Sequence, residues 1–180
     1  MDDIVEASGL SKGALYWYFE SKEALILALL KRLLAVQLQH LQQLPGADGS
    51  VRDRLLLFAQ QFSEALAHLP DLTSLLLEFY ALAARKAEAR QLFREFFTAY
   101  SGVFEALFRQ GIEQGEFRAM DTATAAHALI ALSEGILLLY AFGALATPLP
   151  HAFENTARLF LEGLHVPSET QATVIVRRSD

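Results

Sequence analysis

The sequence predicts an all-α protein, and three observations carry the prediction. Apolar residues recur at helical spacing along almost all of the 180 residues. No stretch before the C-terminal tail alternates as a strand would. The 5 Pro and 10 Gly are few and gather at a handful of breaks. Hydrophobic residues make up 53% of the chain, which points to extensive burial or a large interface between copies. The absence of Cys excludes disulfides, thiolate metal sites and Cys nucleophiles, and no secretory leader pattern opens the chain, so a cytoplasmic location is expected.

The elements follow in order. Asp2–Ala7 reads as a short helix that ends at Gly9, where a positive φ is tolerated. Ser11 is a plausible N-cap for a second short helix reaching Tyr18. Glu20-Ser21 breaks it, with Ser21 as cap and Glu23 in the first turn of a long helix to about Leu44. Pro45-Gly46-Ala47-Asp48-Gly49 is a loop, and Ser50-Val-Arg-Asp53 has the S-x-x-D capping pattern ahead of the stripe Val51, Leu55, Phe58, Phe62, Leu66 and Leu69. A shorter helix follows Pro70-Asp71 and ends near Ala84. The next carries a wide aromatic face from Leu92 to Ile112 and stops at Gln114-Gly115.

Asp121 caps an apolar helix. Within it, Ala125–Ala146 is long enough to span a bilayer, but it holds Glu134 near its middle and no flanking Lys or Arg, so it reads as a core or dimer-seam helix and no membrane association is expected. Thr147-Pro-Leu-Pro150 separates it from a last helix, His151 to Leu164, and the tail Val166–Asp180 reads as disordered.

Two short helices joined by a Gly-containing turn form a helix-turn-helix, whose second helix enters the DNA major groove. On the helix after Ser11, Leu15 and Phe19 share one face and point toward Ile4, Val5 and Leu10, while Lys12, Gly13, Tyr16 and Trp17 point away. Gly13 costs about 1 kcal/mol relative to Ala inside a helix, a loss that suits a backbone brought close to a phosphate or base edge.

Here a resemblance enters. Asp3 to Leu25, DIVEASGLSKGALYWYFESKEAL, resembles the signature segment of TetR-type (TetR/AcrR) transcriptional regulators. Gly111-Ile-Glu-Gln-Gly-Glu-Phe-Arg118 with Asp121, and Glu134-Gly135-Ile136, resemble the effector domain of that family. The resemblance implies that Ser11, Lys12, Ala14, Tyr16 and Trp17 face a double-stranded DNA operator and that Lys22 meets a phosphate. It implies a partial three-helix DNA-binding domain over 1–33, a helical-bundle effector-binding and dimerisation domain over 34–165, and a tail over 166–180. Family members begin with one more helix packed under the helix-turn-helix. By that comparison this chain lacks it, and weak operator binding with a mobile first twenty residues is expected.

The function so implied is a homodimeric, ligand-responsive repressor that binds a palindromic operator and is released by a small hydrophobic effector, with the two C-terminal helices as the seam. An alternative is a helical ligand-binding and dimerising module that no longer touches DNA. Residues 1–44 carry four Lys and Arg against five acids, a net of −1 where phosphate neutralisation would call for a positive balance.

Candidate effector contacts are Phe58, Phe62, Phe79, Phe97, Tyr100 and Phe104 for an apolar pocket, although each aromatic also suits ordinary core. Glu78 and Glu134 stand on apolar helices, where a charge meets either a cationic effector or water at a helix end or interface. The five His form no H-x-x-x-H pair, so no metal is expected, and no cofactor is implied. With no phosphate loop, nucleophile elbow or acid pair, the chain does not read as an enzyme.

Overall fold

A computed structural model of the protein describes residues 9, 11–69 and 72–166. Its helices are α1 (Lys12–Tyr18), α2 (Lys22–Gln42), α3 (Val51–Ala67), α4 (Leu72–Arg85), α5 (Ala87–Glu113), α6 (Thr122–Ala141) and α7 (Leu149–Glu162), with one 3-10 turn at Leu44–Gly46. The helix expected at Asp2–Ala7 and the tail beyond Val166 lie outside the described residues.

The helix starts follow the caps visible in the sequence. Ser11, Ser21, Ser50 and Asp121 accept hydrogen bonds from the backbone N–H of Ala14, Ala24, Asp53 and Thr124 at 3.1, 3.1, 3.0 and 3.3 Å. Gly115 ends the turn after α5 at φ +74°, where any other residue would be strained. Two boundaries differ from expectation. The last helix begins at Leu149 rather than His151, because Pro150 in its first turn has no N–H to lose there. A single extended residue, Lys86, separates α4 from α5.

α3 has a second cap that no local pattern announces. The Glu116 carboxylate accepts from Val51 N at 3.0 Å and Arg52 N at 3.1 Å, so together with Ser50 it satisfies the free donors of the first turn. Buried Arg54 fixes the loop before α3, donating to the carbonyls of Leu44 (2.6 Å) and Pro45 (3.0 Å) and to Gln110 Oε1 on α5 (3.0 Å).

α5 is the axis of the bundle, packed against α2, α3, α4 and α6, while α7 lies on α3 and α6. Burial concentrates in three clusters. The largest joins Leu41, Leu55, Leu107, Phe108, Phe117, Ala126 and Leu161 across α2, α3, α5, α6 and α7. A second gathers Ile136, Leu137, Leu149 and Phe153, and a third Ile26, Leu30, Phe79, Leu82 and Ala89. α2 and α6 are long and apolar enough to cross a membrane by length and composition. In the fold, α6 turns Ala125, Ala126, Leu129, Ile130, Ile136 and Leu137 inward and leaves Leu132, Leu138 and Leu139 exposed.

Candidate functional site

Where the three clusters meet they leave a cavity of about 480 Å³. α2 contributes Leu30, Leu33, Leu34, Gln37 and His40; α3 Phe58, Phe62 and Leu66; α4 Leu75, Leu76, Phe79 and Tyr80; α5 Phe93, Phe96, Phe97 and Tyr100; and α6 Ile130, Ser133, Glu134 and Leu137. The size suits a small organic ligand.

The spacing of aromatics on α5 builds the wall. Phe93 and Phe97, four residues apart, lie on one face with ring centroids 5.9 Å apart and planes 15° from parallel. Tyr80 of α4 extends that column, 6.1 Å from Phe93 at 17°. Phe96 and Tyr100 form a second stacked pair at 4.9 Å, and Phe58 and Phe62 of α3 a third at 6.1 Å.

Polar groups in the cavity are few. Glu134 Oε2 accepts from the Tyr80 hydroxyl at 2.6 Å, and Tyr100 OH accepts from Gln37 Nε2 at 3.2 Å. Burial holds the Glu134 carboxyl above the usual carboxylate range, opposed by the hydrogen bond from Tyr80. Burial likewise pushes the Tyr80 phenol far up, with the negative charge of Glu134 adding to it. Tyr100 also moves up through burial; the bond from Gln37 opposes that shift and the charge of Glu134 adds to it. The lining is therefore mostly apolar, and Glu134 is its one carboxylate among the described residues.

Of the expected effector contacts, Phe58, Phe62, Phe79, Phe97, Tyr100 and Glu134 come together here. Phe104 instead lines a neighbouring void of about 30 Å³, room for little more than a water. Glu78 does not reach the cavity. It lies on another face of α4, where Oε1 accepts from Lys22 Nζ at 3.0 Å, and both side chains are about half exposed. Glu78 faces away although the next residue, Phe79, lines the cavity, because a one-residue step turns a helical side chain by roughly 100°. Phe93 and Phe96 belong to the aromatic face expected from Leu92 to Ile112 but not to the expected effector contacts, and neither Tyr80 nor the α2 residues are among those contacts. The Tyr80–Glu134 bond spans 54 positions and has no local signature, but Gln37 and His40 one turn apart on an apolar helix were a legible sign.

At the other end of α2, α1 presents Trp17 and Tyr18 at 80% and 69% exposure, their rings edge to face at 4.8 Å. Gly13 is exposed, with open space where a Cβ would stand. The side chains of Lys12 and Tyr16 lie outside the described residues. Lys22, expected on a phosphate, is held by Glu78. Next to it Glu23 pairs with Lys86 at 2.8 Å and Arg85 at 4.0 Å, and those pairs keep the Glu23 carboxyl below its usual range. The start of α2 is thus clasped to the middle and end of α4 and to Lys86 just beyond it.

Comparison with known proteins adds the following. Residues 51–166 match the family described as BetI-type transcriptional repressor, C-terminal, and residues 1–29 match bacterial regulatory proteins, tetR family. The HTH-type transcriptional regulator YfiR of Bacillus subtilis (strain 168) is 30% identical over 139 residues, 76% of this chain and 67% of YfiR. A protein from Saccharomonospora viridis solved in complex with choline superposes with a TM-score of 0.76 at 20% identity, over 93% of this chain and 86% of that one. FadR from Bacillus subtilis, solved with stearoyl-CoA, gives 0.72 at 20% identity over 91% and 88%. These two structures share the fold while holding ligands of different chemistry. The match of residues 1–29 does not favour a module without DNA contact.

Proposed function

From the premise that the chain belongs to the TetR family of bacterial regulatory proteins, with a BetI-type C-terminal domain, we propose that it is a homodimeric repressor that leaves its operator when a small hydrophobic effector fills the α2–α6 cavity. The observation that carries this reading is the double duty of α2. Its middle forms a cavity wall through Leu30, Leu33, Leu34 and Gln37, and its first residue follows the end of the reading helix α1 after three residues. A ligand that pushes on α2 therefore moves the reading helix. In a dimer whose two reading helices must stand ~34–36 Å apart on a palindromic duplex, a small tilt at each spoils the fit.

α4 offers a second route. It lines the cavity with Phe79 and Tyr80 and holds Lys22 through the adjacent Glu78, so a shift of α4 reaches the same region. DNA contact falls to Ser11, Lys12, Gly13, Ala14, Tyr16 and Trp17, with Lys22 exchanging Glu78 for a phosphate. The seam is formed by the outer faces of α6 and α7, where Leu132, Leu138, Leu139, Phe142 and Leu159 are exposed on two adjoining helices that a partner copy would cover. The protein acts in the cytoplasm.

The test is an operator duplex recovered by selection from random DNA, titrated with the full chain with and without apolar and aromatic ligands that raise its melting temperature. Ligands that stabilise the protein should weaken operator binding. Stabilising ligands that leave the operator affinity unchanged would remove the sensor role.

A further inference from the structure

We propose that the cavity takes an organic monocation, an amine or quaternary ammonium on an apolar body, with Glu134 as its counter-ion. This rests on the reading of the cavity as the effector site and supplies the chemistry that reading leaves open. Glu134 projects from α6 into a space bounded mostly by aliphatic and aromatic side chains, with Gln37, His40, Gln61 and Ser133 as the neutral polar groups. Among the described residues no Lys or Arg lines that space, and no ion pair reaches Glu134. The titratable groups that face it are Tyr80, Tyr100 and, at the α2 wall, the exposed His40. Tyr80 satisfies Oε2 and leaves Oε1 without a donor among the described hydrogen bonds.

A carboxylate in such surroundings is unfavourable unless something compensates it, and burial already shifts it toward its neutral form. A packing role would be served by Leu or Gln. What Glu adds is a negative charge that a cation neutralises inside the cavity. The adjacent ring column Tyr80, Phe93, Phe97 suits the same ligand, because an alkylammonium is attracted to aromatic faces. The opposite choices fit less well. A fatty carboxylate would bring like charge toward Glu134, and a pure hydrocarbon would leave the carboxylate desolvated with no counter-ion beside its bond from Tyr80. The volume of about 480 Å³ calls for an apolar body beside the ammonium group.

The experiment uses two probes of one shape, benzyltrimethylammonium and its carbon analogue neopentylbenzene, with decanoate as an anionic arm. Binding to the full chain is followed by calorimetry and melting temperature. The wild type should bind the cation at least tenfold more tightly than the hydrocarbon. Glu134→Gln should weaken the cation by on the order of 10- to 100-fold while binding the hydrocarbon at least as tightly as the wild type does, which also shows that the variant keeps its fold and cavity. Equal affinity for cation and hydrocarbon in the wild type, or a cation affinity that survives Glu134→Gln, overturns the assignment and leaves the effector-site reading standing. Silence from all three probes counts against that reading itself.

Discussion

Glu78→Gln should tighten DNA binding, although Glu78 touches no DNA in the proposed complex. In the DNA-free protein the Lys22 ammonium is held by Glu78 at 3.0 Å, and it must leave that carboxylate before it meets a phosphate. Both partners are about half exposed, so the bridge belongs to the weak class worth ~0.2–1 kcal/mol. Removing it lowers the cost of freeing Lys22 by that amount, which is about a 1.4- to 5-fold gain in affinity at RT of ~0.59 kcal/mol. The assay is fluorescence anisotropy of a labelled operator duplex over a salt series, for wild type, Glu78→Gln, Lys22→Ala and the double variant. Lys22→Ala should flatten the slope of log K against log salt by about one. In that background Glu78→Gln should change nothing beyond the small long-range effect of removing one negative charge, which salt screens. A gain of the same size with and without Lys22 would refute the bridge as its cause, and a loss of affinity in the single variant would refute the competition altogether.

Other outcomes follow from single features. Burial holds Glu134 above its usual range when folded, so its contribution to stability is complete below the unfolded pKa and is lost as pH rises through the folded one. Glu134→Gln should therefore raise the melting temperature at neutral pH, and scanning calorimetry near pH ~4, around the ordinary Glu pKa, should find the difference shrinking. Glu116→Ala leaves the N–H groups of Val51 and Arg52 without their carboxylate and should cost ~0.5–2 kcal/mol, read as a fall of a few degrees in melting temperature with helicity retained. Phe142→Asp, at a residue 69% exposed beside the proposed seam, should give monomers in sedimentation velocity with the circular dichroism of the wild type; an unchanged dimer would move the seam elsewhere.

The sequence by itself determined the fold class, the order of the elements and most helix starts, because each depends on residues within a few positions of one another. Ser11, Ser21, Ser50 and Asp121 each cap the third residue after them, and Gly115 terminates α5 by its own conformation. The motif from Asp3 to Leu25 was legible for the same reason, as was the clustering of aromatics four residues apart on α5. Only the tertiary structure decided which of two similar Glu residues meets the cavity. Glu78 and Glu134 look alike in sequence, but the rotation of α4 directs one toward Lys22, while the position of α6 beside Tyr80 buries the other. The cap that Glu116 supplies to α3 and the cavity at the junction of three clusters are likewise invisible along the chain. Each is made by side chains tens of positions apart, and which of these meet depends on how whole helices pack.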